Sequence, residues 1–260
     1  MQTKKSLGQH FLNSPQTLQS IVVSGKIQKE NVVLEIGPGE GVLTEVLLKT
    51  GARIISIEKD DRLIPYLQKK FEKEIEKKQL NLIHADILKI GLADITNGKY
   101  KVVANIPYYI TGQILRMFLE SDNQPESMTL LVQKEVADRI AAKDGKESLL
   151  SLSIKVFGNP KYIKTVGRNA FKPQPNVDSA ILNIENISKK KLSGLSEKTF
   201  FEILHLGFAH KRKQLLPNLS AKYDKIILIK AFEKCHLNPK CRAEDISIET
   251  WIKLCTIIAK

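Results

Sequence analysis

The chain reads as an α/β protein built on a doubly wound, mostly parallel sheet, and three observations predict that class. From Val32 to Ala142, short apolar runs alternate with longer stretches whose apolar residues recur at helical spacing. The first run empties into a glycine-rich turn, Gly37-Pro38-Gly39-Glu40-Gly41. Successive runs also finish on polar residues, Glu35, Glu58, Asp86 and Asn105, which would share one edge of a parallel sheet.

Taken in order, Ser14–Ser24 predicts a helix with Ser14 as its cap and Pro15 at its first position, where a missing N–H costs nothing. Val32–Ile36 predicts a buried strand and Val42–Lys49 a helix. Strands at 53–58, 81–86, 100–105 and 128–132 alternate with helices at 60–78, 111–120 and 134–142. The charged stretch Lys69–Lys78 keeps apolar residues at helical spacing and reads as a solvated helix face. After Leu149 the pattern reads as strand at 150–157, 162–166 and 180–184, with an antiparallel hairpin closing the sheet. The loop Phe171–Ser179 is stiffened by Pro173 and Pro175. Lys189–Gly194 reads as a linker, followed by helices at 197–210, 224–234 and 248–258. The expected organisation is therefore a domain over 1–188, a linker over 189–194 and a helical domain over 195–260.

Composition narrows the partners. A chain of 260 residues with 42% apolar content can bury a substantial core. Its net charge of +13 suits a polyanion, although a merely soluble basic surface is the alternative. Aromatic residues make up only 6%, which favours one or two stacking contacts in a pocket over an extended single-strand platform. Cys235, Cys241 and Cys255 form no C-x-x-C pair, so no metal site is expected and reduced, buried thiols are. No apolar run is long enough to span a bilayer, and the first residues lack a signal-peptide core. A reducing, cytoplasmic setting is the expectation.

The pattern Glu35-x-Gly37-x-Gly39-x-Gly41 departs from the dinucleotide fingerprint, because its last glycine comes one residue early and an acid precedes the first. A carboxylate beside the turn repels pyrophosphate but suits an ammonium or sulfonium, which points to S-adenosylmethionine over NAD. Glu58 stands roughly 20 residues further on, where such folds place a ribose-binding carboxylate. Asp86 is placed to accept from an adenine amino group, or simply to cap a helix. Asn105-Ile106-Pro107-Tyr108 combines an amide, a turn carbonyl at Pro107 and an aromatic face. Such a set suits an exocyclic amine on an extruded base, though Asn and Pro also make ordinary turns. Phe171 either covers that base from the face opposite Tyr108 or anchors its loop to the core. Lys211-Arg212-Lys213 suits phosphates, or complements a helix end.

Over essentially its full length the chain resembles the bacterial small-subunit ribosomal RNA adenine dimethyltransferases. The resemblance rests on Lys5–Leu12, Glu35–Gly39, Glu58, Asp86, Asn105–Tyr109, Phe171–Ser179, Phe208–Leu215 and Arg242–Glu244. It implies a Rossmann-like methyltransferase fold in which Gln9, His10 and Leu12 close over the methionine end of the cofactor. Gly37 and Gly39 would line the turn, with Glu35 at its head. Glu58 would hold the ribose, Asp86 the adenine, and Asn105 would sit between cofactor and target. The implied substrate is a pair of adjacent adenosines in a 3′-terminal hairpin loop of small-subunit rRNA, each methylated twice at N6 on an immature 30S subunit. A monomer is expected. The large-subunit dimethyltransferases of macrolide resistance share the cofactor motifs, but the Leu7–His10 start and the tail motifs favour the small-subunit enzyme. A DNA adenine methyltransferase usually carries a second proline before the tyrosine. A non-catalytic RNA-binding assembly factor on the same fold is the remaining alternative, and the intact cofactor residues speak against it.

Overall fold

The computed structural model describes residues 10–96, 98–192 and 194–259. The chain divides into two compact units, one of residues up to Ala137 with Asn159–Ile187, the other of Asp138–Gly158 with Ser188–Lys260. The segment 138–158, read from sequence as part of the first domain, thus groups with the C-terminal helices.

In the first unit, β1 (Phe11–Leu12) leads into α1 (Pro15–Ser24), whose cap Ser14 accepts from the Thr17 N–H as its position predicts. There follow β2 (Val32–Ile36), α2 (Val42–Leu48), β3 (Arg53–Glu58), α3 (Ile64–Lys70), α4 (Glu72–Glu76), β4 (Leu80–His84) and α5 (Leu92–Ile95). Then come β5 (Lys101–Asn105), a 3₁₀ turn at Tyr108–Ile110, α6 (Thr111–Leu119), β6 (Ser127–Gln133) and α7 (Lys134–Ala141), whose residues from Asp138 on count with the second unit. The single helix predicted over 60–78 is two, because Phe71 leaves helical geometry to bury its ring. It lies so close to Gly41 that a Cβ there would meet the ring at 2.6 Å.

The main departure is α8 (Leu149–Lys155), predicted as a strand. Leu150, Leu152 and Ile154 alternate with Ser151 and Ser153, which mimics a two-residue period. Ser148 overrides the mimicry. Its hydroxyl accepts the Ser151 N–H at 3.0 Å while Ser151 Oγ accepts the Ser148 N–H at 2.7 Å, a reciprocal cap that starts a helix.

Back in the first unit, β7 (Asn159–Val166), β8 (Phe171–Lys172) and β9 (Ser179–Glu185) complete the strands. The seven-stranded sheet runs β4-β3-β2-β5-β6-β9-β7. The first five strands are parallel, and the central β2, β5 and β6 are mostly buried, as strands covered on both faces must be; β9 and β7 are antiparallel. Strand order reverses between β2 and β5, whose ends pair Ile36 with Ala104. A crevice opens at such a reversal, outside the carboxyl ends of the strands. A separate two-stranded ribbon joins β1 to β8, pairing Phe11 with Lys172 and Leu12 with Phe171.

The second unit is helical. After a 3₁₀ turn at Lys189–Leu192 come α9 (Glu197–Gly207), α10 (Leu215–Leu219), α11 (Lys225–Lys234) and α12 (Ile248–Ile258). Trp251, Phe200 and Leu204 are fully buried at its centre. Gly207 lets Trp251 approach: a Cβ there would sit 2.5 Å from the indole. The 138–158 segment joins this unit through Phe157 on Phe201, ring centroids 6.0 Å apart, and Glu147 N–H on the Glu244 carbonyl at 2.8 Å. Among the described residues no helix is long and apolar enough to cross a membrane.

Candidate active site

The crevice at the strand reversal is a cleft of about 370 Å³ lined from four strand ends and the β1 segment. The sequence-predicted residues His10, Leu12, Gly37, Gly39, Glu58, Asp86, Asn105, Pro107 and Tyr108 all reach it. Gln9 lies outside the described residues. Glu35 and Phe171 do not line the cleft, and Lys211, Arg212 and Lys213 belong to the second unit, exposed on the turn after α9.

The glycine turn leaves β2 with Gly37 at φ +67° and Gly39 at φ +61°, conformations costly for a residue with a Cβ. A Cβ on Gly37 would meet nothing within 4 Å, so the space beside it is open to a ligand. At Gly39 a Cβ would lie 2.9 Å from the Phe11 ring, which folds over the turn. Glu58, at the end of β3, is buried and braces the same turn: Oε2 accepts the Gly39 N–H at 3.1 Å and Oε1 the Asp60 N–H at 2.8 Å. Burial pushes its pKa up, partly offset by those hydrogen bonds. A cleft of this volume, with an open glycine cradle and carboxylates at neighbouring strand ends, fits S-adenosylmethionine.

Glu35 has a different role from the one its motif suggested. It is buried within the sheet, and its Oε2 accepts from Thr44 Oγ1 of α2 at 2.7 Å and Ser56 Oγ of β3 at 2.6 Å. Its Oε1 has no partner among the described residues. Burial pushes its pKa up to about 7, despite the two hydroxyls. The side chain pins α2 and β3 to the strand that bears the glycine turn; it does not present charge to the cleft.

Asp86 does face the cleft, with a partner that sequence reasoning missed. Lys59 Nζ lies 2.9 Å from Asp86 Oδ2, and the Leu88 N–H donates to Oδ1 at 3.1 Å. Partial burial would raise the pKa of this carboxyl, but those two donors hold it below the usual carboxylate range. Lys59 also lines the cleft; the only signal for it was its place directly after Glu58.

At the end of β5, Asn105 Nδ2 donates to the His10 carbonyl at 3.0 Å. A carbonyl can only accept, so this bond fixes the amide orientation and leaves Oδ1 as its acceptor. The Pro107 carbonyl, read from sequence as the free acceptor of the turn, already takes the Ile110 N–H at 3.2 Å as the chain tightens into the 3₁₀ turn. The Ile106 carbonyl beside it accepts no main-chain hydrogen bond from the described residues. Tyr108 is half-buried, and its hydroxyl sits 2.7 Å from Ser179 Oγ, which orients the ring. Its neighbour Tyr109 is exposed on the rim.

Phe171 resolves the other way from the base-covering reading. It is 4% exposed and packs in the core with Leu12, Leu18 and Leu131. The loop it anchors reaches the site through its main chain instead: the Pro173 carbonyl lies 2.8 Å from His10 Nδ1, and the Ala170 carbonyl accepts the Asn13 N–H at 2.8 Å. Among the described residues no cluster of His, Cys, Asp and Glu can hold a metal ion.

Known proteins are similar to this chain over nearly its whole length. A family model described as ribosomal RNA adenine dimethylase matches residues 1–260. The Ribosomal RNA small subunit methyltransferase A of Dehalococcoides mccartyi is 43% identical over 259 residues, covering 98% of this chain and 88% of its own length. Its namesake in Enterococcus faecalis is 39% identical over 270 residues, covering 99% and 90%. Among solved structures, 23S rRNA methyltransferase ErmE has a TM-score of 0.80 at 25% identity, covering 96% of this chain and 100% of its own. A dimethyladenosine transferase from Plasmodium falciparum also reaches 0.80 at 25% identity, covering 94% and 96%. With residues 1–260 matched by the family model and relatives 39–43% identical over nearly the whole chain, the protein belongs to the ribosomal RNA adenine dimethylase family.

Proposed function

We propose that this protein transfers methyl groups from S-adenosylmethionine to N6 of two adjacent adenosines in the 3′-terminal hairpin loop of small-subunit rRNA. It does so as a monomer, on an immature 30S subunit. The observation that carries the reading is the fixed amide of Asn105, held by the His10 carbonyl with its oxygen left to accept. The identity to small-subunit relatives supports the choice of RNA.

When bound, S-adenosylmethionine supplies a methyl group on a positively charged sulfur. Gly37, Gly39, Glu58 and Asp86 would hold it, with His10, Leu12 and Gln9 closing the methionine end. The amine of adenine is a poor nucleophile because its lone pair is delocalised into the ring. Asn105 Oδ1 and the Ile106 carbonyl accept its two N–H bonds and favour a pyramidal nitrogen, so positioning and fixed dipoles do the catalysis. Ile106 takes the part first read for Pro107, whose oxygen is engaged within its own turn. Tyr108 stacks on the extruded base. Lys211, Arg212 and Lys213 meet phosphates.

The test is methyl incorporation into small subunits from an unmethylated strain, with nucleoside analysis of the product. N6,N6-dimethyladenosine in small-subunit RNA is the expected result. Label on large-subunit RNA instead would give the reading to the macrolide-resistance enzymes.

A further inference from the structure

Gly37, Gly39 and Gly41 all stand at positive φ, so the turn they make has unusually wide freedom when nothing restrains it. Ordering such a turn around a ligand costs affinity unless the protein has ordered it beforehand. The Gly37 N–H is held by the Ile57 carbonyl at 2.9 Å and the Gly39 N–H by Glu58 at 3.1 Å. Both pins come from β3. The far end of the turn, at Glu40, is held from a different element.

Lys70 closes α3 and was expected on a solvated helix face, yet its side chain is only 22% exposed. Its Nζ donates to the Glu40 carbonyl at 2.7 Å. That oxygen accepts no main-chain hydrogen bond from the described residues. The same ammonium pairs with Glu45 Oε1 in the first turn of α2, also at 2.7 Å. Two rings shelter it: the Tyr66 centroid lies 5.7 Å away and that of Phe71 5.3 Å. Phe71 is also the ring seated against Gly41, so the end of α3 meets Glu40 and Gly41 together.

Glu40 and the glycines before it line the cleft, whereas Lys70 does not. An ion pair with Glu45 alone would matter little, since that carboxylate is well exposed. The bond to the carbonyl is of another kind. A charged donor, sheltered by two rings, meets an acceptor that belongs to the turn itself.

We infer that Lys70 is a positioning residue for the cofactor, clamping the Glu40 carbonyl so that the glycine turn is already shaped when S-adenosylmethionine arrives. The inference rests on the reading of this turn as the cofactor cradle. Lys70 touches neither cofactor nor target, so its effect falls on cofactor affinity and not on methyl transfer itself.

The experiment measures calorimetric affinity for S-adenosylmethionine, thermal melting and subunit methylation for the parent protein, Lys70→Met, Lys70→Arg and Glu45→Gln. Lys70→Met keeps the unbranched stem but cannot donate. It is expected to weaken cofactor affinity roughly tenfold, the scale of one hydrogen bond to a charged group. Its KM for the cofactor should rise in step, while kcat at saturating cofactor stays within about twofold. Lys70→Arg, which still donates, should recover most of the affinity. Glu45→Gln removes the ion pair and leaves the carbonyl bond, so it should bind cofactor as the parent does even where its melting temperature falls. The inference is overturned if Lys70→Met binds cofactor like the parent. It is also overturned if Glu45→Gln loses as much affinity as Lys70→Met, because the helix–helix ion pair would then be responsible. If Lys70→Met does not fold, the parent protein decides by reciprocity: cofactor should slow acylation of Lys70 by an amine-directed reagent several-fold, and an unchanged rate overturns the clamp. Gly39→Val separates the two readings. Loss of cofactor affinity there, with Lys70→Met unaffected, sinks the clamp alone; a Gly39→Val protein that binds normally sinks the cradle, and the clamp with it.

Discussion

At Asn105 a single hydrogen bond fixes which way the side-chain amide faces. With one Nδ2 hydrogen bound to the His10 carbonyl, the amide orientation is fixed and Oδ1 is left as its acceptor. Asn105→Ala should therefore lower the methyl-transfer rate about a hundredfold or more, on the scale of removing a positioned polar group, with little change in cofactor affinity. Single-turnover kinetics would check it, and a wild-type rate would refute the assignment. Glu35 makes a different prediction. Its pKa rises from 4.5 to about 7 on folding, so the folded protein holds this proton more tightly than the unfolded chain does. The stability from that preference is complete below pH 4.5 and is lost as the pH climbs through about 7. The loss approaches roughly 3 kcal/mol. Glu35→Gln, which keeps an acceptor for Thr44 and Ser56, should remove that slope: urea titrations from pH 4.5 to 8 should show wild type weakening relative to the variant. Parallel profiles would mean that Glu35 is ionised in the folded state at neutral pH.

Elements were legible where one physical requirement dominated. A parallel strand covered on both faces needs continuous apolar residues, and a strand-to-helix turn beside a ligand needs glycine, so β2, β3, β5 and β6 could be read directly. Ambiguity arose where two periods fitted the same residues. The serine–leucine alternation of α8 is a strand pattern until the Ser148–Ser151 cap is considered, and that cap is itself a sequence signal. The ribbon of β1 and β8 was not legible, because two-residue strands have no period. Its consequence for Phe171 is testable. As a buried anchor, Phe171→Ala should cost about 3–5 kcal/mol of stability, whereas Phe171→Leu should keep most of the methyl-transfer rate. Denaturant unfolding and subunit methylation would separate the cases. A leucine variant that is stable but inactive would return Phe171 to the base.

At the scale of the whole molecule, the +13 charge makes an encounter with RNA strongly salt-dependent. Lys211, Arg212 and Lys213 are exposed together on one turn of the helical unit. Replacing all three with glutamine should weaken subunit binding and reduce the slope of log affinity against log salt by about 3. An unchanged slope would make the cluster a helix-end complement. The sequence foretold that the tail is helical and basic. It did not foretell that 138–158 groups with it, because that depends on Phe157 finding Phe201 and Glu147 finding Glu244 across a long separation.

The ribbon between β1 and β8 has a consequence for how the enzyme is born. His10 meets its tether 163 residues later in the chain, so during vectorial synthesis the earliest segment waits, unpaired, for nearly two-thirds of the polypeptide to emerge. Until Pro173 has cleared the exit tunnel, the ring beside Tyr108 has nothing to steady it.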